Sequence, residues 1–171
     1  VDSQIRVAEI TKQLYGELSD EYIDALDYLT SCYWTNSDLD SIKKNIRNIL
    51  EVIEARNQND FVDSQYDNTY LKYRKQIISY SIAFRDWDGV VQEGEELAKI
   101  YNINKQTQSY EYWDLLSNLV LAYNNTGNFL ATASLFSECE SVADILNLKT
   151  TEEYYDYLSI KYEVCSILNQ T

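Results

Sequence analysis

The side chains that most often carry chemistry are sparse in this chain, and their spacing argues against catalysis. There is no histidine among the 171 residues, which removes Ser-His and Cys-His nucleophile pairs and the commonest zinc ligand. Cys32, Cys139 and Cys165 stand singly inside apolar helical patterns. Their wide separation reads as buried thiols, which favours a reducing compartment and a cytoplasmic location. Asp24 and Asp27 lie at helix-surface spacing with nothing to raise a carboxyl pKa, so they are expected on a solvated face. The glycines form no phosphate-binding loop. Asp86-Trp87-Asp88-Gly89 lacks the third ligand and distal Glu of a calcium loop, and Asp60, Asp63 and Asp67 could hold a cation only loosely. The expectation is no enzymatic activity, no cofactor and no metal.

Charge and length narrow the remaining classes. With 28 acidic against 14 basic residues the formal charge is −14, spread along the chain. Nucleic acid is excluded as a partner on that balance, because binding it requires Lys and Arg to displace counterions from phosphates. No apolar run approaches the roughly 18 residues of a membrane span. An apolar content of 45% with no proline and four glycines fits one folded domain without a flexible linker.

The elements that position these side chains are repeated. Glu21-Tyr22-Ile23-Asp24-Ala25-Leu26 returns as Glu111-Tyr112-Trp113-Asp114-Leu115-Leu116 and as Glu153-Tyr154-Tyr155-Asp156-Tyr157-Leu158. A degenerate copy at Thr69-Tyr70-Leu71-Lys72 completes a tyrosine register of Tyr22, Tyr70, Tyr112 and Tyr154. Within each copy apolar residues recur at helical spacing: Tyr22, Leu26, Leu29 and Tyr33, then a polar turn, then Leu39, Ile42, Ile46, Ile49 and Ile53. Such a pair is a helical hairpin, entered by a cap at Ser19 or Asp20. In the third copy the second helix runs from Phe129 through Thr132, Phe136 and Cys139, and Gly127 supplies the left-handed stop.

The units read as about 20–57, 69–102 and 110–147, flanked by partial units at 1–16 and 151–171, in a single domain. A polar insertion at 58–68 separates the first two full units. With Val1 as first residue and half-units at both ends, the chain is expected to be a piece of a longer protein.

Tyr123, Gly127 and Phe129 stand at the spacing of a Tyr-x3-Gly-x-(Phe/Tyr) turn, with Leu116 and Leu119 at the preceding apolar positions. These residues resemble tetratricopeptide repeats (TPR). Leu14-Tyr15-Gly16-Glu17, leading through an acidic linker into the helix at Tyr22, resembles the 42-residue variant of the kinesin light chain type. The resemblance implies an all-α, right-handed superhelical array of antiparallel hairpins, an α-solenoid, whose concave groove holds a protein or peptide. The tentative groove residues it implies are Tyr28, Trp34, Lys75, Asn118, Leu121 and Asn125. Amides such as Asn118 and Asn125 suit a peptide main chain, while Trp34, Tyr28 and Leu121 offer apolar contact. A clamp for a C-terminal carboxylate does not fit, because the unit after Asn118 offers Asp156 and Ile160 where cations are needed. Glu93 and Glu140 are expected on the outer helices, away from the groove. Two other roles for the same fold stay open: the peptide-sensing part of a signalling protein, and the recognition part attached to a caspase-like protease domain.

A negative potential over most of the surface selects a neutral to basic partner segment. Association of such a partner should slow as salt rises, which stopped-flow mixing across a salt series measures; on-rates indifferent to salt would contradict it.

Overall fold

The computed structural model describes residues 1–59 and 67–169, and every regular element among them is an α-helix. Helices α1 (Asp2–Tyr15), α2 (Asp20–Thr35), α3 (Leu39–Asn59) and α4 (Asn68–Ala83) form one compact unit ending at Phe84. Helices α5 (Trp87–Ile103), α6 (Tyr110–Asn125), α7 (Phe129–Ser134), α8 (Phe136–Ile145) and α9 (Glu152–Leu168) form a second from Arg85 onward. In the first unit each helix packs on the next along the chain; in the second, α6 is the hub that touches α5, α7, α8 and α9. Most of the polar insertion lies outside the described residues. Asp60 and Asp63 fall there, while Asp67 caps α4.

The tyrosine register has a backbone cause. Ser19, Asp67, Ser109 and Thr151 cap α2, α4, α6 and α9, and each side-chain oxygen accepts from the N–H of a register tyrosine, Tyr22, Tyr70, Tyr112 or Tyr154. Each cap satisfies a donor that the first helical turn leaves without a partner. It also fixes where the ring enters the core, since all four rings are buried, at 2% to 7% exposure. The hydroxyls of Tyr22, Tyr70 and Tyr112 then reach a neighbouring helix. Tyr112 donates to Glu138 Oε1 at 2.7 Å, Tyr70 to Glu54 Oε1 at 2.9 Å, and Tyr22 accepts from Asn48 Nδ2 at 3.4 Å. Asp38, Asp86 and Asn128 cap α3, α5 and α7 in the same manner.

The helix ends share a second device. Ser37, Arg85, Lys105, Gly127 and Asn147 follow successive helices with φ between 55° and 75°. At Lys105 the reversal is closed by Lys105 N–H to Asn102 O at 3.2 Å and Gln106 N–H to Tyr101 O at 2.9 Å, and Ser37, Gly127 and Asn147 carry the same two bonds. This pattern satisfies the last carbonyls and ends the helix. Three residues then lead to the next helix at 36–38 and 126–128, and six at 104–109 and 146–151.

The stripes read from sequence form the cores. Ile42, Ile46 and Ile49 are fully buried in the first unit, with Leu26, Leu29, Ile77 and Ile78 around them; Val90, Leu97, Leu116, Val120, Cys139 and Val164 occupy the second. Each such side chain contributes about 1.5–3 kcal/mol when fully buried. A polar tie crosses the first core: Asn45 Nδ2 donates to Leu26 O at 2.6 Å and to Thr30 Oγ1 at 2.8 Å. In the second unit the Cβ position of Gly94 lies 2.7 Å from a Leu119 methyl, so α5 and α6 meet where a side chain would clash.

Three expectations are corrected here. The helix that begins at Phe129 is not continuous, because α7 and α8 are broken at Leu135. Thr132 Oγ1 donates to Asn128 O, Ser134 Oγ donates to Ala131 O, and Leu135 N–H bonds three residues back to Thr132 O. Side-chain bonding to the preceding turn and one tight turn together bend the rod. Glu93 is not an outer surface residue, being 5% exposed. Of the thiols only Cys139 is buried, while Cys32 and Cys165 are half-buried; all three are free.

A left-handed conformation costs a residue with a Cβ about 1–2 kcal/mol. Lys105→Gly should therefore stabilise the protein by about 0.5–1 kcal/mol, and Gly127→Ala should cost about 1 kcal/mol. Urea midpoints decide it: shifts in the same direction would mean that these turns carry no strain.

Candidate functional site

No described surface gathers catalytic groups. Among the described residues no three His, Cys, Asp or Glu side chains cluster as metal ligands, and no helix is long and apolar enough to cross a membrane. Burial pushes the Cys139 thiol up to about 12, leaving it protonated and unreactive at neutral pH. The helix faces that packing leaves uncovered are more informative.

In the first unit that face is built by α2 and α4. Tyr28 is 59% exposed and Trp34 45% exposed, both unusually open for such large rings. Trp34 rests against Tyr80, with ring centroids 5.3 Å apart, and meets Phe84 edge-on at 5.4 Å. Toward the N-terminal half of α4, Lys72 Nζ lies 4.0 Å from Asp27 Oδ2 and 4.7 Å from the Tyr73 ring centre. Lys75 is half-buried one turn further on, and its carbonyl accepts from Ser79 Oγ at 3.1 Å. The structure thus places Tyr28, Trp34 and Lys75 on α2 and α4 of one unit, and it adds Tyr80 and Phe84 as the aromatic support of Trp34. Tyr80 and Phe84, four residues apart at the end of α4, were a sequence signal of one aromatic face.

In the second unit the corresponding residues lie along α6. Asn118 is half-buried and donates through Nδ2 to Asp114 Oδ2 at 3.4 Å, while Asn125 is exposed and donates to Leu121 O at 2.8 Å. Leu121 between them is half-buried. Both amide bonds are local to one helix and open to solvent, so a main chain laid along α6 could replace them at little cost. Nearby, the amide oxygen of Asn124 is buried without a hydrogen-bond partner among the described residues. Glu140, expected away from the groove, is ion-paired with Lys161 of α9.

Two cavities accompany these faces in the first unit. One, of about 440 Å³, is lined by Asp24, Lys72, Tyr73, Arg56 and Asn57 among others. The other, of about 530 Å³, runs along α3 beside Lys44, Asn45, Arg47, Asn48 and Glu51, with Tyr33 at one end. Nothing in the sequence pattern marks this second hollow, because apart from the buried Asn45 its α3 lining belongs to the polar face of a helix whose other stripe forms the core.

Buried phenols record how acidic the surroundings are. Burial, then the nearby Asp27 and Asp24 carboxylates, push Tyr73 up to about 12. Burial, then Glu111 and Asp114, do the same for Tyr101, and burial with a hydrogen bond to Glu95 does so for Tyr123. A phenol unfolds into a pKa of about 10, so the native state holds these protons more tightly. Their contribution to stability is complete below about pH 10 and is lost as pH rises through about 12. Urea midpoints should accordingly stay flat to about pH 10 and then fall, with a late step in tyrosinate absorbance that coincides with loss of helical circular dichroism. A single early tyrosinate step with unchanged midpoints would refute this.

No family model and no curated protein matches the chain. Solved structures do. A variant of the Podosopora anserina kinesin light chain protein with nearly identical TPR-like repeats aligns over 99% of this chain and 82% of its own, at 12% identity and a TM-score of 0.65. A second crystal structure of that protein covers 99% and 87%, at 10% identity and a TM-score of 0.54. BtubC (BKLC) from P. vanneervenii aligns over 85% of this chain and 56% of its own, at 12% identity and a TM-score of 0.62. At such identities the likeness is one of fold: an all-α array of TPR-like helical repeats.

Proposed function

We propose that this chain is a protein- or peptide-binding scaffold, without catalytic activity of its own, that uses the uncovered faces of its first helices. The observation that carries the reading is the split character of α6. Tyr112, Leu116, Leu119 and Val120 are spent on the core, whereas Asn118 and Asn125 bond through their amides to groups of their own helix, beside the exposed Asp114 and the half-buried Leu121. Amides with local, solvent-exposed bonds are suited to exchange them for those of an extended main chain. TPR-like repeats are a fold that builds binding surfaces from stacked hairpins, so the fold supports the same reading. The functional module is a single array with full units at about 20–57, 69–102 and 110–147, and its partner segment is neutral to basic. Free cysteines accord with a reducing, cytoplasmic setting.

Replacing Asn118 and Asn125 together by Ala should weaken binding of an identified partner by roughly 1–3 kcal/mol, because two main-chain hydrogen-bond partners are lost, while helical circular dichroism stays unchanged. The control uses residues that the structure shows to be exposed, Gln92 on α5 and Ser137 on α8, in place of the buried Glu93. Calorimetry reads both. If the Gln92 and Ser137 pair mattered and the Asn pair did not, the binding surface would lie on the second helices.

A further inference from the structure

The aromatic group at the end of the first unit is a specific kind of surface. Trp34, Tyr80 and Phe84 lie at the C-terminal ends of α2 and α4, with Trp34 tilted at 45° to Tyr80 and 83° to Phe84. Burial alone does not account for it, since nearly half of the Trp34 surface faces solvent. The electrostatics there favour a cation. Neither α2 nor α4 has a basic residue in its last turn, so the negative ends of both helix dipoles are uncompensated from within those turns. Asp27 lies close enough to Tyr80 to raise its pKa, after burial, the larger cause, and Asp38, capping α3, adds a carboxylate that its bonds to Ser41 keep ionised. One cation of the same face, Lys72, is engaged toward the other end of α4, where it reaches Asp27 and the Tyr73 ring. Aromatic faces attract cations through the ring quadrupole, tryptophan most strongly.

Building on the peptide-binding reading above, we infer that Trp34, backed by Tyr80 and Phe84, is a seat for an arginine side chain of the partner segment. Arginine suits it better than lysine, because a planar, weakly hydrated guanidinium can stack on an indole while its N–H groups point outward to carboxylates and helix-terminal carbonyls. The acidic chain draws the arginine in, and the aromatic surface holds it. The seat thereby gives the partner a composition as well as a charge.

The test uses a short glycine-serine peptide carrying arginines and its twin with citrulline, a neutral isostere, at each arginine. Affinity for the first is measured for the wild type and for Trp34→Leu, Trp34→Phe and the Asn118→Ala, Asn125→Ala double variant, each checked for helical circular dichroism. The expected result is that Trp34→Leu, which leaves the net charge at −14, loses roughly threefold to thirtyfold in affinity. Trp34→Phe, which keeps a ring on the same support, should lose less, and citrulline should reduce binding as much as Trp34→Leu or more. An unchanged affinity in Trp34→Leu, or equal binding of the citrulline peptide, overturns the seat. If in that case the Asn double variant still binds more weakly, the peptide-binding reading stands and only the arginine seat falls; if neither variant matters, both fall.

Discussion

Everything in this fold hangs on how a first helix begins. A serine, threonine or aspartate accepts the backbone N–H of a tyrosine three residues on, and that bond sets the rotation at which the tyrosine ring enters the core. A cap is worth about 1 kcal/mol. Its larger effect is geometric, because the apolar stripe that follows the tyrosine is thereby aimed at the neighbouring helix. Where the hydroxyl then meets Glu138, Glu54 or Asn48, the second or preceding helix is held at the same height. One residue type thus ties cap, core and edge together, which accounts for the recurrence of tyrosine where leucine would pack as well but bond nothing.

The period of these tyrosines and stripes was legible in sequence because it depends only on local spacing, and so was the fold class. The helix stops were legible only where glycine marked them. Gly127 announces a left-handed turn, but Ser37, Arg85, Lys105 and Asn147 adopt the same conformation without a type that reveals it. At Ser37 and Lys105 what forces it is the hairpin: with α2 packed on α3 and α5 on α6, the connection has no room for another path, and tertiary packing outweighs about 1–2 kcal/mol of local cost. Glu93 shows the opposite error. Its spacing from Val90 and Leu97 puts it on the apolar face of α5, yet its charge suggests a surface residue, and the spacing prevails. The break at Leu135 depends on where the Thr132 and Ser134 hydroxyls choose their acceptors, which no pattern announces.

The candidate surfaces were legible to a lesser degree, for a related reason. Periodicity assigns residues to the face away from the core, and Tyr28, Trp34, Asn118 and Asn125 do lie open or half-open to solvent. It does not say what stands beside them. The support of Trp34 by Tyr80 and Phe84 joins residues far apart in the chain, and the hollow along α3 is shaped by side chains whose common property is polarity.

The core and the face left to solvent draw on different residues of the same helices. In α6 the buried positions are filled by large apolar side chains that admit no change without loss, while on the open face Asn118 and Asn125 bond within their own turn. Substitution on the open face leaves the core intact, so such a scaffold can change its partner while keeping its fold. The acidic excess is spread along the whole chain. Exposed rings such as Tyr28 and Tyr162 therefore stand on a strongly acidic protein, where like charges oppose the approach of another copy. That repulsion between copies weakens as salt screens the field.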